Sequence, residues 1–137
     1  MTKIKTIPKL KKKLDQIFSK YIRHKYAKDG MVKCYTCQHI GEVKKMQNGH
    51  FNPRQHLATR YDERNCRPQC FACNMYYGGN PAVFASKLID EYGPEIITEF
   101  KQARHQVFKV DQTWYENKIK EYEEKLNEVV DNSLDIT

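Results

Sequence analysis

This sequence predicts a mixed α+β fold: a small, cysteine-stapled centre of short strands, flanked by N-terminal and C-terminal α-helices. Three observations carry that expectation. Apolar residues recur at helical spacing near both ends, at Leu10, Leu14, Ile17 and Tyr21 and again at Tyr115, Ile119, Tyr122, Leu126 and Val129. Residues 31–80 lose that period and are rich in Cys, Gly, Asn and Arg. Two Cys-x2-Cys pairs lie inside the aperiodic stretch.

The elements follow in order. Residues 7–27 read as a helix capped by Thr6, with Pro8 in its first turn and Asp29-Gly30 as its stop. Lys44–Phe51 reads as a strand, and the segment after Cys70 turns helical until Gly78-Gly79 breaks it. Asn80-Pro81 starts the next helix, with Phe84, Leu88 and Ile89 facing inward, and Gly93-Pro94 is a stop and restart before a helix over 95–106. The last helix spans about 111–131, with Glu116–Lys120 and Glu121–Lys125 as supporting pairs, and 132–137 fray. Its stripe suits either packing on its own domain or a dimer seam. The chain thus divides into a basic N-terminal helix (1–29), a cysteine-bound core (30–93) and C-terminal helices with a possible dimerisation role (94–137).

The 137 residues suffice for one domain, and nine Tyr, six Phe and Trp114 supply packing material despite a 30% charged composition. No run is long and apolar enough to cross a bilayer, and the basic N-terminus lacks the apolar stretch of a signal peptide. A cytoplasmic location is expected. There, five cysteines favour metal ligation over disulfides. The net charge of +7 is uneven: nine Lys and Arg23 stand against Asp15 in residues 1–28, whereas residues 111–137 are acidic. A basic arm on a mildly basic body suits a polyanion, of which nucleic acid is the commonest.

Cys34-Tyr-Thr-Cys37 and Cys70-Phe-Ala-Cys73 each aim two thiolates at one point, and together they complete a tetrahedral sulfur site. Four soft ligands with no open position describe one structural zinc ion. Cys66 reads as a small buried apolar residue, with a ligand swap as the weaker alternative. The 32 residues between the knuckles exceed an ordinary ribbon gap.

Within that insert, His50 follows a short strand, Asn65 lies in a loop, and Asn74 comes nine residues later, directly after Cys73. This pattern resembles the HNH, or His-Me finger, nucleases, and the Cys-x2-Cys-Asn ending resembles their zinc-stapled subclass. The block from Gly49-His50-Phe51 through Cys73-Asn74-Met75, with Gly78-Gly79-Asn80 after it, resembles the NinG/Rap recombination proteins of lambdoid phages over roughly residues 30–95. The resemblance implies a zinc-stapled ββα finger and a metal-dependent DNA endonuclease acting on branched intermediates such as Holliday junctions and D-loops, in the host cytoplasm if phage-encoded. His50 would be the general base. Asn74 would offer its carboxamide oxygen to a catalytic Mg²⁺ or Mn²⁺, and Asn65 would hold the loop and help orient His50. One departure is Gly49, where many such enzymes carry a further metal ligand; His56 or Asp62 could instead complete the site.

Lys9, Lys11, Lys12 and Lys13 of the first helix, with Arg54, His56, Arg60 and Arg67 of the insert, are the candidate DNA contacts. Symmetric resolution of a four-way junction needs two active sites, which favours a homodimer, and a recombination protein is a possible further partner. The alternative is a non-catalytic, zinc-dependent nucleic-acid-binding module.

Overall fold

A computed structural model describes residues 3–134. Helix α1 (Lys3–Lys25) leads to a hairpin of β1 (Met31–Lys33) and β2 (Ile40–Glu42). A second antiparallel pair joins β3 (Gln47–His50) to β4 (Cys66–Gln69), with short helix α2 (Leu57–Arg60) between them. A π-helical turn over Ala72–Tyr76 precedes α3 (Pro81–Tyr92), α4 (Glu95–Ala103) and α5 (Gln112–Leu134).

Several boundaries differ from the sequence reading. The first helix begins at Lys3, so Thr6 and Pro8 lie inside it rather than at its cap. Val43–Lys45 is a 3₁₀ turn, which shortens the expected 44–51 strand to Gln47–His50. Asn80 does occupy the cap position of α3, but in a left-handed conformation with φ 50°; its amide nitrogen instead approaches Cys73 Sγ at 3.9 Å. Ile89 is exposed, because the inward stripe of α3 is carried by Phe84 and Leu88 alone. Gly93, at φ 88°, ends α3 as expected, and α4 stops at Ala103 rather than 106. The last helix runs on to Leu134, and residues 135–137 of the tail expected to fray lie outside the described residues.

Three apolar clusters hold these elements. The largest joins Leu14, Phe18, Tyr21 and Ile22 of α1 to Tyr115, Ile119 and Tyr122 of α5, with Tyr61 and Cys66 from the middle of the chain. The α5 stripe that could have formed a dimer seam is therefore covered by α1 of its own chain: Tyr115 and Tyr122 are each 3% exposed. The match is physical, since two apolar stripes of similar length bury each other without a second chain. Glu63 locks the arrangement. Its carboxylate accepts from Tyr21 Oη (3.0 Å), Lys25 Nζ (3.1 Å), Tyr122 Oη (3.0 Å) and Lys125 Nζ (3.1 Å). Burial opposes its ionisation, yet these donors outweigh burial and hold the carboxyl down at about 2.

A second cluster packs Phe84 and Leu88 of α3 on Ile96 and Phe100 of α4. The third, under the knuckles, is only Val32, Cys34, Met46 and Cys73. Helix α1 also lies across β3 and β4, and this contact shapes the site described next.

Candidate active site

The four knuckle sulfurs, of Cys34, Cys37, Cys70 and Cys73, lie within 4.8 Å of one another, with Cys37 Sγ and Cys70 Sγ at 3.7 Å. A tetrahedral zinc site with bonds near 2.3 Å sets sulfurs about 3.8 Å apart. The donor set fits one zinc ion. Burial opposes ionisation of Cys34, but backbone N–H groups of Cys70, Thr36 and Cys37 and the Thr36 hydroxyl outweigh it and hold the thiol down at about 6. Cys66 stands apart: it is fully buried in the α1/α5 cluster, and burial pushes its thiol well up. It is the apolar filler its sequence position suggested.

Between α1 and β3 runs a cleft of about 730 Å³. His50, Asn48 and Gln47 line it from β3, Asn74 and Met75 from the π-helical turn, and Asp15, Lys20 and Arg23 from α1. His50 is positioned by β3, where it pairs with Cys66 of β4. Its Nε2 lies 2.9 Å from the Arg60 carbonyl oxygen. A carbonyl only accepts, so Nε2 carries the proton and Nδ1 keeps its lone pair. Burial pushes the imidazole down to about 4, with Arg54 and Arg60 adding to the fall while the Arg60 and Asn48 carbonyls oppose it. The ring is therefore neutral at pH 7, and burial makes it a weaker base than a free imidazole.

Asn65 does not reach the cleft. It is fully buried and pins the loop after β3: its Oδ1 accepts from Asn52 N at 2.7 Å, and its Nδ2 donates to the carbonyls of Asn52 and Thr59, each at 3.1 Å. Thr59 directly precedes Arg60, whose carbonyl holds His50. Asn65 thus acts on the histidine through the loop. Asn74 donates from Nδ2 to Gln47 Oε1 at 2.6 Å, which leaves its carboxamide oxygen for another partner.

Gly49 has a structural reason. Neighbouring strand residues point to opposite faces, and a Cβ at Gly49 would stand 1.9 Å from Gln69 Oε1. Gln69 is itself buried, donating to Thr36 Oγ1 at 3.0 Å and to the Gly79 carbonyl at 2.8 Å. A side chain at 49 would enter the knuckle packing. Neither His56 nor Asp62 lines the cleft. His56 stands at the N-cap of α2, and Asp62 caps Arg64 N at 2.9 Å and pairs with the Arg64 guanidinium.

Two arginines expected to meet phosphate are used inside the protein. Arg67 is 1% exposed, donating to Glu91 Oε2 (3.0 Å) and Tyr92 Oη (2.6 Å), with its guanidinium among Tyr26, Tyr35 and Tyr92. Arg60 binds Asp15 through Nε (3.0 Å) and Nη2 (2.6 Å) and the Arg54 carbonyl through Nη1. Asp15 also accepts from Tyr61 Oη at 2.6 Å; burial opposes its ionisation, but Arg60 and Tyr61 hold it below the usual range. Arg54 stays exposed at the rim, donating from Nη2 to Asp15 Oδ2 at 3.2 Å. Lys9, Lys12 and Lys13 are exposed on α1 and Lys11 is half-buried, but none lines the cleft. The charged α1 residues that do are Asp15, Lys20 and Arg23, none of them among the site residues the sequence suggests. A signal existed: Lys9, Lys12, Lys13, Lys20 and Arg23 share one helical face.

Comparison with known proteins adds the family. The family model described as "Bacteriophage Lambda NinG protein" matches residues 1–132. The chain belongs to the NinG family. The match takes in α1, which walls the cleft, and nearly all of α5, which packs on α1, as well as the knuckle region of this NinG chain. No curated protein and no solved structure matches. Among the described residues, no helix is long and apolar enough to cross a membrane.

Proposed function

We propose that this NinG-family chain is a metal-dependent DNA endonuclease of the HNH, or His-Me finger, type, acting on branched recombination intermediates in the host cytoplasm. The observation that carries the reading is the placement of His50: an imidazole lining the cleft with Nε2 held 2.9 Å from the Arg60 carbonyl, so that the neutral ring leaves Nδ1 without a proton. A neutral imidazole with a free ring nitrogen can accept a proton from water, and the negative charge of a scissile phosphate beside it raises its affinity for that proton. In the proposed step the water oxygen bonds to phosphorus, its proton passes to His50 Nδ1, the phosphorus–oxygen bond to the leaving group breaks, and the departing oxygen is protonated by solvent. A Mg²⁺ or Mn²⁺ ion, when bound, supplies positive charge to the scissile phosphate and leaving oxygen. Asn74 is its proposed protein ligand, through the oxygen left over from the Gln47 contact. Lys20 and Arg23, with Lys9, Lys12 and Lys13 beyond them on α1, grip the backbone without reading bases. Zinc serves as scaffold. Symmetric resolution of a junction calls for a second copy, and with the α5 stripe covered that contact uses another surface.

A second reading, a zinc-dependent nucleic-acid-binding module without catalysis, draws on Asp15. Among the described residues it is the only carboxylate lining the cleft, and Arg60, Arg54 and Tyr61 occupy it. Incubation with a labelled four-way junction and Mg²⁺ or Mn²⁺ separates the two. Nicking by wild type, abolished in His50→Ala with zinc retained, is expected. Binding without nicking at any divalent ion tested leaves only the module.

A further inference from the structure

Four large apolar side chains crowd the seven residues from Phe71 to Tyr77, on and just beyond the second knuckle, and all of them face solvent. Phe71 is 55% exposed, Met75 58%, Tyr76 80% and Tyr77 66%. Exposed apolar groups gathered in one place mark a contact surface. The rings of Phe71 and Tyr76 meet edge to face with centroids 6.2 Å apart. The patch is continuous with the cleft, since Met75 belongs to both. A zinc ion held by Cys70 and Cys73 together with Cys34 and Cys37 would stiffen its base.

Charge selects among occupants. Residues 70–80 contain no charged side chain. Among the described residues, the adjoining cleft presents Lys20, Arg23 and Arg54 against one carboxylate, that of Asp15, which Arg60 and Arg54 both pair with; Lys20 is exposed, and Arg23 is held in place by the Ser19 and Val43 carbonyls. A cationic groove that opens onto exposed aromatic rings is the arrangement that holds single-stranded nucleic acid: cations follow the backbone, and bases stack on rings without regard to sequence.

We propose that Phe71, Tyr76 and Tyr77 form a stacking platform for unpaired bases, so that the substrate class is DNA with a single-stranded or splayed segment at the cleft, not continuous duplex. This deepens the nucleic-acid reading of the cleft and rests on it. A strand lying along α1 would pass its phosphates by Lys20 and Arg23 and lay its next bases on the aromatic turn.

Binding tests it independently of cutting. Full-length protein is titrated, without added divalent ion or chelator, against a fluorescent single-stranded oligonucleotide and against a blunt duplex of the same length. The variants are Tyr76→Ser/Tyr77→Ser and Tyr76→Phe/Tyr77→Phe, each checked for one zinc per chain and wild-type circular dichroism. The serine pair is expected to lose at least about tenfold in affinity for the single strand and to change little on duplex. The phenylalanine pair is expected to bind like wild type. A 2-aminopurine base in the strand should change fluorescence on binding wild type but not the serine pair. Equal losses on both DNAs, no loss on either, or failure of wild type to bind single strands would overturn the proposal. So would sedimentation showing a wild-type dimer that the serine pair dissolves, since the patch would then be a self-interface. Nicking abolished by His50→Ala stays a separate readout, so the platform and the nuclease can fail independently.

Discussion

The helical pair and the cysteine finger are held by different forces. Around Phe18, the α1/α5 cluster buries nine side chains, with edge-to-face contacts from Phe18 to Tyr61 (5.5 Å) and to Tyr122 (4.9 Å). The finger's own cluster has four members, two of them zinc-ligand candidates. Burial, reinforced by the contacts of Glu63 to both helices, sustains the first, whereas the second is so small that a metal at the four cysteines is expected to order its loops. The candidate site lies on the seam, with His50 and Asn74 on the finger side and Lys20 and Arg23 on the helical side. A change in either region therefore reaches the cleft, by a different route.

The largest expected effect breaks the finger alone. Structural zinc contributes roughly 10–16 kcal/mol in finger peptides, so Cys34→Ser or a strong chelator should unfold residues 31–80. The expected observation is loss of amide-exchange protection at β3 and β4, with protection retained in the facing stripes of α1 and α5. Uniform loss across both regions would show that the two fold as one unit.

Phe18→Ala attacks the other side. Truncating a fully buried Phe costs about 3–5 kcal/mol, and denaturant unfolding should report a loss of that size. One zinc per chain should remain, measured by native mass spectrometry.

Acid sharpens the comparison most finely. His50 is held at about 4 against an ordinary 6.5. Its folded value is depressed, so the unfolded chain binds the proton first. The stability conferred by the neutral ring is complete above pH 6.5 and falls away as pH drops to about 4, by about 3 kcal/mol. Glu63, held at about 2 against 4.5, keeps its contribution until pH falls below 4.5. The finger side should thus weaken first. His50→Gln should flatten the stability difference between pH 6.5 and 4, and Glu63→Gln should flatten only the range below. Equal acid profiles for wild type and His50→Gln would remove the buried neutral imidazole from the account.

Much of this was legible in the chain before any coordinates. The two Cys-x2-Cys pairs, the apolar stripes at Leu10–Tyr21 and Tyr115–Val129, the Asn80-Pro81 start and the Gly93-Pro94 stop all encode local geometry. Cys66 is the buried filler that its place in the chain predicts. At the element ends the differences are local, as with Thr6, the shortened strand before His50 and the end of α4; at the site they concern partners distant in sequence. Arg60 and Arg67 look like phosphate ligands beside His50, yet one meets Asp15, 45 residues away, and the other meets Glu91. Nothing in an arginine's neighbours along the chain says which carboxylate will fold onto it.

By itself, then, the sequence determined the ligand set of the clip, the residue types of the candidate site, and two stripes in need of cover. Each is a matter of spacing within one element. Only the tertiary structure decided that α5 covers α1 of its own chain, that Asp15, Lys20 and Arg23 become a wall of the cleft, and that Gly49 yields its space to Gln69. Those outcomes depend on which surfaces meet across the chain, and burial, charge pairing and excluded volume act only once they have met.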